Sequence, residues 1–402
     1  MNTGPDASPG VALMGLAALM GQVFAGADLG PLAQAFIDRA TRDPGDAAAL
    51  LDLSTALYLA DNPDLARSMQ EQALAIRRLY TLARRTDSPD PPGLRVLALM
   101  APGELSANTP LDFLIDDSDV ALDFYYLARE PAPLPLFDDY DLVFVAVGES
   151  DANALLLCAA EALLANCPCP VLNAPGHIAR LSRDRVFATL RGAPGIVVPA
   201  TERVDRHALE ALGARDPVTR ADPGFPMVVR PIGSHAGRGL ARLDAPSALP
   251  EYLRTAPEDE FYVAPFVDYR SADGLFRKYR VVLIGGRPYA CHMAISDHWM
   301  IHYLNAGMGE SAAKRAEEAR FFARFEEDFA RRHRDALRVL DEGVALDYVG
   351  IDCGETAAGE LLIFEVDSAL IVHALDPADL YPYKPPQMRK VFGAFRALLD
   401  VG

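Results

Sequence analysis

The sequence predicts an α/β protein that opens with a short, purely helical region. Three observations carry that prediction. From about residue 12 to 85, apolar residues recur at helical spacing with no convincing strand. A Pro/Asp-rich stretch, TDSPDPPG, then breaks the pattern. Beyond it, short apolar runs alternate with helical segments, the rhythm of strands buried on both faces. At 402 residues the chain exceeds one ordinary core and should divide into two or three units. The composition shifts place them at 1–86, 95–178 and 179–402.

Residues 1–10 read as a frayed tail. The apolar run VALMGLAALMGQVFAGA that follows has Asp6 before it and no basic residue until Arg39, which argues against a secretory leader. No apolar stretch reaches membrane-span length. Five cysteines, of which only Cys167 and Cys169 lie close together, read as reduced thiols in a cytoplasmic protein. A formal net charge of −18 repels nucleic acid and anionic membranes at long range, though it permits a local basic pocket.

Within the first region, DPGDAAALLDLSTALYLADNPDLARSMQEQALAI predicts two antiparallel helices joined at Asp61-Asn62-Pro63. Leu50, Leu53, Leu57, Ala66 and Ala73 fall where a tetratricopeptide-like hairpin places its packing residues; a generic helical hairpin accounts for them equally well. In the second region LRVLALMA, ALDFYYLA, YDLVFVAVG and CPVLNAP predict parallel strands, with a buried helix in ANALLLCAAEALLANC. In the third, EFYVAPFVDY and FRKYRVVLIGGRPYACHMAI predict antiparallel strands, the latter turning at Gly285-Gly286. The charged stretch 310–341 reads as one or two amphipathic helices with Phe321, Phe322, Phe325 and Phe329 on one face. LDYVGIDCG and ELLIFEVDS form a hairpin around Thr356 to Gly359.

Two constellations carry chemistry. FPMVVRPIGSHAGRGL ends a strand at Arg230-Pro231 and opens a loop with Gly233, Gly237 and Gly239 around His235 and Arg238. The spacing is neither a dinucleotide fingerprint nor a Walker A loop. Glycines nevertheless let backbone N–H groups approach phosphate oxygens, and the arginines supply charge. The second constellation is acidic. Glu365 and Asp367 project from one face of a strand, and a turn centred between Ala357 and Ala358 sets Asp352 opposite Ile363 on that face. Converging carboxylates repel unless a cation neutralises them, and an all-oxygen set suggests Mg²⁺.

With both in view, residues 179–400 resemble the ATP-grasp superfamily, with a pattern similar to glutathione synthetase and the ribosomal-protein glutamate ligases. LSRDRVFATLRGAPGIVVPAT resembles the family's opening helix and next strand, FPMVVRPIGSHAGRGL its phosphate strand and mobile glycine loop, FYVAPFVDY its hinge, FRKYRVVLIGGRPYACHMAIS the strand pair with a substrate-facing arginine, and YVGIDCG…LLIFEVDS the metal-ligand strands. The resemblance implies an ATP-grasp fold (glycine-loop subdomain about 195–265, metal-binding subdomain about 266–402) preceded by a Rossmann-like α/β domain at 95–178. It implies ATP on Arg185, Arg230 and the glycine loop, ribose at Asp268, Mg²⁺ on Asp352, Glu365 and Asp367, and a catalytic Arg280, with Lys278 and Asn305 toward the substrate. The family's two phosphate lysines fall at Arg185 and Arg230, and its Glu-x-Asn is Glu-x-Asp.

His235 sits where a γ-phosphate would meet the loop, unless it is simply exposed. His298 and His302 have the spacing of a zinc-protease helix, but Trp299 stands where the glutamate belongs. His373 is a candidate lining residue. The implied activity is ATP- and Mg-dependent carboxylate–amine ligation through an acyl phosphate, on small-molecule or peptide carboxylates and amines. Alternatives are a small-molecule kinase on the same fold and a non-catalytic nucleotide-binding scaffold. The N-terminal helices pack against the core or recruit a protein, and a homodimer is compatible with the family.

Overall fold

The computed structural model describes residues 11–85, 91–128, 135–214, 224–234, 237–302 and 305–400, so the tail at 1–10 and His235 lie outside the described residues. The chain is mixed α/β. It divides into two compact units: Met1–Ala179 with Leu346–Tyr348 and Ser368–Gly402, and Arg180–Ala345 with Val349–Asp367.

The first unit opens with α1 (Gly15–Phe24), α2 (Gly30–Arg42), α3 (Ala47–Leu59) and α4 (Pro63–Ile76). Asp46 caps α3 by accepting from the Ala49 amide at 3.0 Å, and Pro63 opens α4 where its missing N–H is harmless. Ala47, Ala48, Ala49, Ala56, Ala66 and Ala73 are buried, so α3 and α4 approach closely enough for the Ser54 hydroxyl to donate to the Ala66 carbonyl at 2.7 Å. Leu53 and Leu57 pack with Leu19 and Phe36. Two carboxylates hold the start of α1. Asp52 accepts from the Met14 and Gly15 amides at 2.9 and 3.1 Å, and Asp112 from the Ala17 amide at 2.6 Å.

The helical region also contributes a strand that the sequence reading missed, β1 (Leu79–Thr81). It is followed by β2 (Leu94–Met100), β3 (Val120–Tyr126), β4 (Leu142–Val145) and β5 (Val171–Leu172). The sheet order is β1-β3-β2-β4-β5. β2 to β5 run parallel, as their unbroken apolar runs predict, and β1 is antiparallel to β3. The C-terminal helix Lys384–Leu398 packs Phe395 onto Phe144 of β4 and onto Tyr348, with ring centroids 5.8 and 5.3 Å apart. Residues 368–402 therefore belong with the first unit, not with the third region to which contiguity assigned them. Both faces of a parallel sheet must be covered, and this helix supplies part of that cover.

The second unit holds β6 (Ile196–Val197), β7 (Glu202–Asp205), β8 (Met227–Pro231), β9 (Ala241–Leu243), β10 (Glu260–Pro265), β11 (Phe276–Ile284), β12 (Arg287–Ser296), β13 (Tyr348–Glu355, whose first residue counts with the first unit) and β14 (Leu361–Asp367). One sheet is antiparallel in the order β7-β10-β8-β9; the other runs β12-β11-β13-β14-β6. The stretch 310–341 is not one continuous helix. Ala312–Ala323 and Arg334–Val344 flank a single turn, Phe329–Arg332, while Phe322, Phe325 and Phe329 remain buried. Among the described residues no helix is long and apolar enough to cross a membrane.

Burial outweighs the hydrogen bonds at Asp52 and Asp112 and raises both carboxyls to about 6. A folded-state value above the unfolded one favours the protonated native form, so stability falls as pH rises from about 4 through 6. Asp112→Asn removes that penalty at one site. Relative to wild type it should gain about 1 kcal/mol between pH 5 and pH 8, measured by denaturant unfolding at both values.

Candidate functional site

The site is a row of charged side chains crossing the second unit's larger sheet. Arg280 on β11 lies beside His292 on β12, and Asp352 on β13 lies directly opposite Glu365 on β14. Asp352 does not face Ile363 as the simple hairpin register predicts, because the ladder slips by one residue between Asp352 and Cys353. The slip leaves Phe364 as a bulge, and Arg183 donates to its carbonyl at 2.5 Å. A second slip sits between Arg280 and Val281. Two irregularities thus aim Arg280, Asp352 and Glu365 at one place.

Asp352 is 3 % exposed. Arg280 donates to it through Nε at 2.8 Å and Nη2 at 3.0 Å, and Lys278, two residues away on the same face of β11, through Nζ at 2.8 Å. Burial pushes the Asp352 carboxyl up, but Arg280 and then Lys278 outweigh it and hold it far below the usual carboxylate range. Glu365 is likewise pushed up by burial and brought below its ordinary value by Arg183, its hydrogen-bonded partner, and Arg230. Burial, followed by repulsion from Arg183, lowers Arg230 to about 10, with Glu365 opposing. Each carboxylate is therefore flanked by two cations. His302 is pulled down from its ordinary value by burial and then by Lys278 and Arg280. On the far side of the row, the wholly buried Glu318 sits 2.6 Å from His292 Nδ1 and also accepts from the Met293 amide at 3.1 Å.

Arg230 also anchors the glycine loop. Its guanidinium donates to the Ser234 carbonyl, and the Ser234 hydroxyl donates to the Pro231 carbonyl at 2.7 Å. Gly233, Gly237 and Gly239 all have positive φ, and a Cβ on Gly239 would come within 2.7 Å of the Pro231 ring. The described part of the loop thus has a backbone that only glycine adopts without strain.

The structure brings together Arg230, Lys278, Arg280, Asp352 and Glu365. Asp367, opposite Gly350, shares their face. Other sequence candidates lie elsewhere. Arg185, expected on the phosphates of ATP, is exposed on the helix Arg183–Leu190, and Arg183 is the arginine of this helix that pairs with Glu365. Residues two apart on a helix point about 160° apart, so only one of this pair can face β14. Arg238 is exposed. Asp268 is engaged at the surface by Arg270, whose hydrogen bonds lower its carboxyl. Asn305 closes a local turn, accepting from the His302 amide at 2.8 Å. His373 belongs to the first unit, its ring 5.1 Å from that of Phe24.

The donor set does not fit the expected magnesium site. Both oxygens of Asp352 are taken by Arg280 and Lys278, and Glu365 is held by Arg183. Among the described residues, no three His, Cys, Asp or Glu side chains gather closely enough to hold a metal ion.

No family model matches the chain, and no curated protein does. Solved structures similar to it include the VanG D-Ala:D-Ser ligase of Enterococcus faecalis (12 % identity, 76 % of this chain and 99 % of that one, TM-score 0.43). They also include a D-alanine–D-alanine ligase of Bacillus anthracis complexed with ATP (13 %, 77 % and 100 %, 0.42). A third is a RimK domain ATP-grasp protein of Sphaerobacter thermophilus DSM 20745 (17 %, 76 % and 99 %, 0.42).

Replacing Asp352 with Asn would leave Lys278 and Arg280 facing each other in a buried site. The expected loss is about 3 kcal/mol of unfolding free energy, read from the denaturant midpoint; a loss within error of zero would show that the pairs are solvated and weak.

Proposed function

We propose that the second unit binds ATP and catalyses ADP-forming ligation of a carboxylate to an amine through an acyl phosphate. The observation that carries this reading is the set of four cations, Arg183, Arg230, Lys278 and Arg280, arranged around two carboxylates beside a glycine loop. The resemblance of the loop and of the surrounding strands to ATP-grasp segments supports it. Phosphoryl transfer asks little covalent chemistry of a protein and much electrostatic positioning, which such a cluster supplies.

In this reading a carboxylate oxygen of the substrate attacks the γ-phosphorus in line. The bond to the β–γ bridging oxygen breaks, and ADP departs with its electron pair. Arg280 orients the attacking carboxylate, and Arg183 and Arg230 stabilise the charge spread over the transferring group. The amine nitrogen then adds to the acyl carbon, phosphate leaves, and the amine's surplus proton passes to solvent. No step is assigned to a metal ion, because Asp352 and Glu365 are already ion-paired.

That pairing also favours a second reading, a nucleotide-binding scaffold without turnover. Coupled detection of ADP and phosphate, with pooled amino acids and small peptides as substrates, separates the two. In the ligase reading ADP and phosphate form together, and Arg280→Ala lowers kcat/KM by about 10²- to 10³-fold. Nucleotide binding with no ADP from any pool would leave the scaffold, and a stable phosphorylated product would identify a kinase.

A further inference from the structure

The acidic residues of the site have partners within the chain, and those partners carry the charge that a divalent ion would otherwise bring. We infer that this site takes its polyphosphate ligand metal-free, with Arg183, Arg230, Lys278 and Arg280 as the counter-charge and with Asp352 and Glu365 as internal counter-ions rather than metal ligands. The inference rests on the nucleotide-binding part of the proposed function, and its test separates the two.

Three features support it. Asp352 is nearly inaccessible, and Arg280 grips both of its oxygens while Lys278 adds a third hydrogen bond. Exchanging these for a hydrated metal would leave two cations desolvated and unpaired. At Glu365, Arg183 makes the direct contact while Arg230 stands close enough for the two guanidinium groups to repel each other. An anion entering between them relieves that repulsion, whereas a metal cation entering there adds to it. Arginine, finally, matches phosphate oxygens in a bidentate way and stays charged, so a pair of arginines can replace part of the clamp that metal ions give a polyphosphate.

Divalent ions neutralise the polyphosphate and compete with the protein's cations for it, so ATP in EDTA should bind at least as tightly as Mg·ATP, and by about five- to tenfold tighter at low salt. Neutralising Glu365 should strengthen binding, because it releases Arg183. A metal ligand lost at the same position would weaken Mg·ATP binding instead.

The measurement is isothermal titration of the full chain with ATP and with inorganic tripolyphosphate, each in EDTA and in millimolar MgCl₂, on wild type and Glu365→Gln. Tight binding in EDTA that Glu365→Gln improves by about five- to tenfold is the expected result. Binding of ATP only with MgCl₂ overturns the inference and leaves the nucleotide reading intact. Tripolyphosphate binding in EDTA without ATP binding in either condition keeps the metal-free anion site and overturns the nucleotide reading. Absence of binding by both probes overturns both. The wild-type comparison does not depend on how well the variant folds.

Discussion

A carboxylate buried in the middle of a sheet must be neutralised, and much of the second unit is arranged around doing this for Asp352. Lys278 and Arg280 sit two apart on β11 because that spacing turns both toward one face, and both reach the same carboxylate. The β-bulges serve the same end. One sets Asp352 opposite Glu365; the other follows Arg280 and shifts the ladder behind it. Regular ladders would place these side chains differently and leave a buried charge without partners, a state costing several kcal/mol.

The second carboxylate extends the arrangement outward. Glu365 draws Arg183 from a helix start, and Arg183 in turn satisfies the carbonyl that the bulge at Phe364 takes out of the ladder. Arg230 comes from the other sheet and links this cluster to the glycine loop through Ser234. At Arg183 a planar guanidinium makes both contacts, to Glu365 and to the Phe364 carbonyl; lysine, a point charge on a flexible stem, would not make both with comparable geometry.

What was legible in the sequence was whatever depends on local pattern. The alternation of apolar runs revealed the parallel strands, Gly285-Gly286 the hairpin between β11 and β12, and the Glu365/Asp367 spacing their common face. What depends on distant partners was not. β1 is three residues that become a strand only because β3 is there to pair with them. A bulge leaves no mark in a sequence, so a regular hairpin register pairs Asp352 with Ile363 where the structure pairs it with Glu365. Arg183 and Arg185 are equally good candidates until the helix is rotated into place, and only tertiary packing does that. The return of the C-terminal helix to the first unit was hidden for the same reason: its partner Phe144 lies far from Phe395 along the chain.

β1 has a consequence beyond its size. Without it, β3 would present a seven-residue, largely apolar strand with its open backbone groups facing water, a ready template for pairing with another molecule. β1 pairs with Asp123, Phe124 and Tyr125, while the flanking Leu82 amide and Arg78 carbonyl extend cover to Leu122 and Tyr126. Leu13 then closes over the outer side of this short strand through hydrogen bonds with Thr81 and Ala83. The helical region thus covers this edge of the sheet against edge-to-edge pairing, and that protection of the α/β unit comes from residues that precede its first parallel strand.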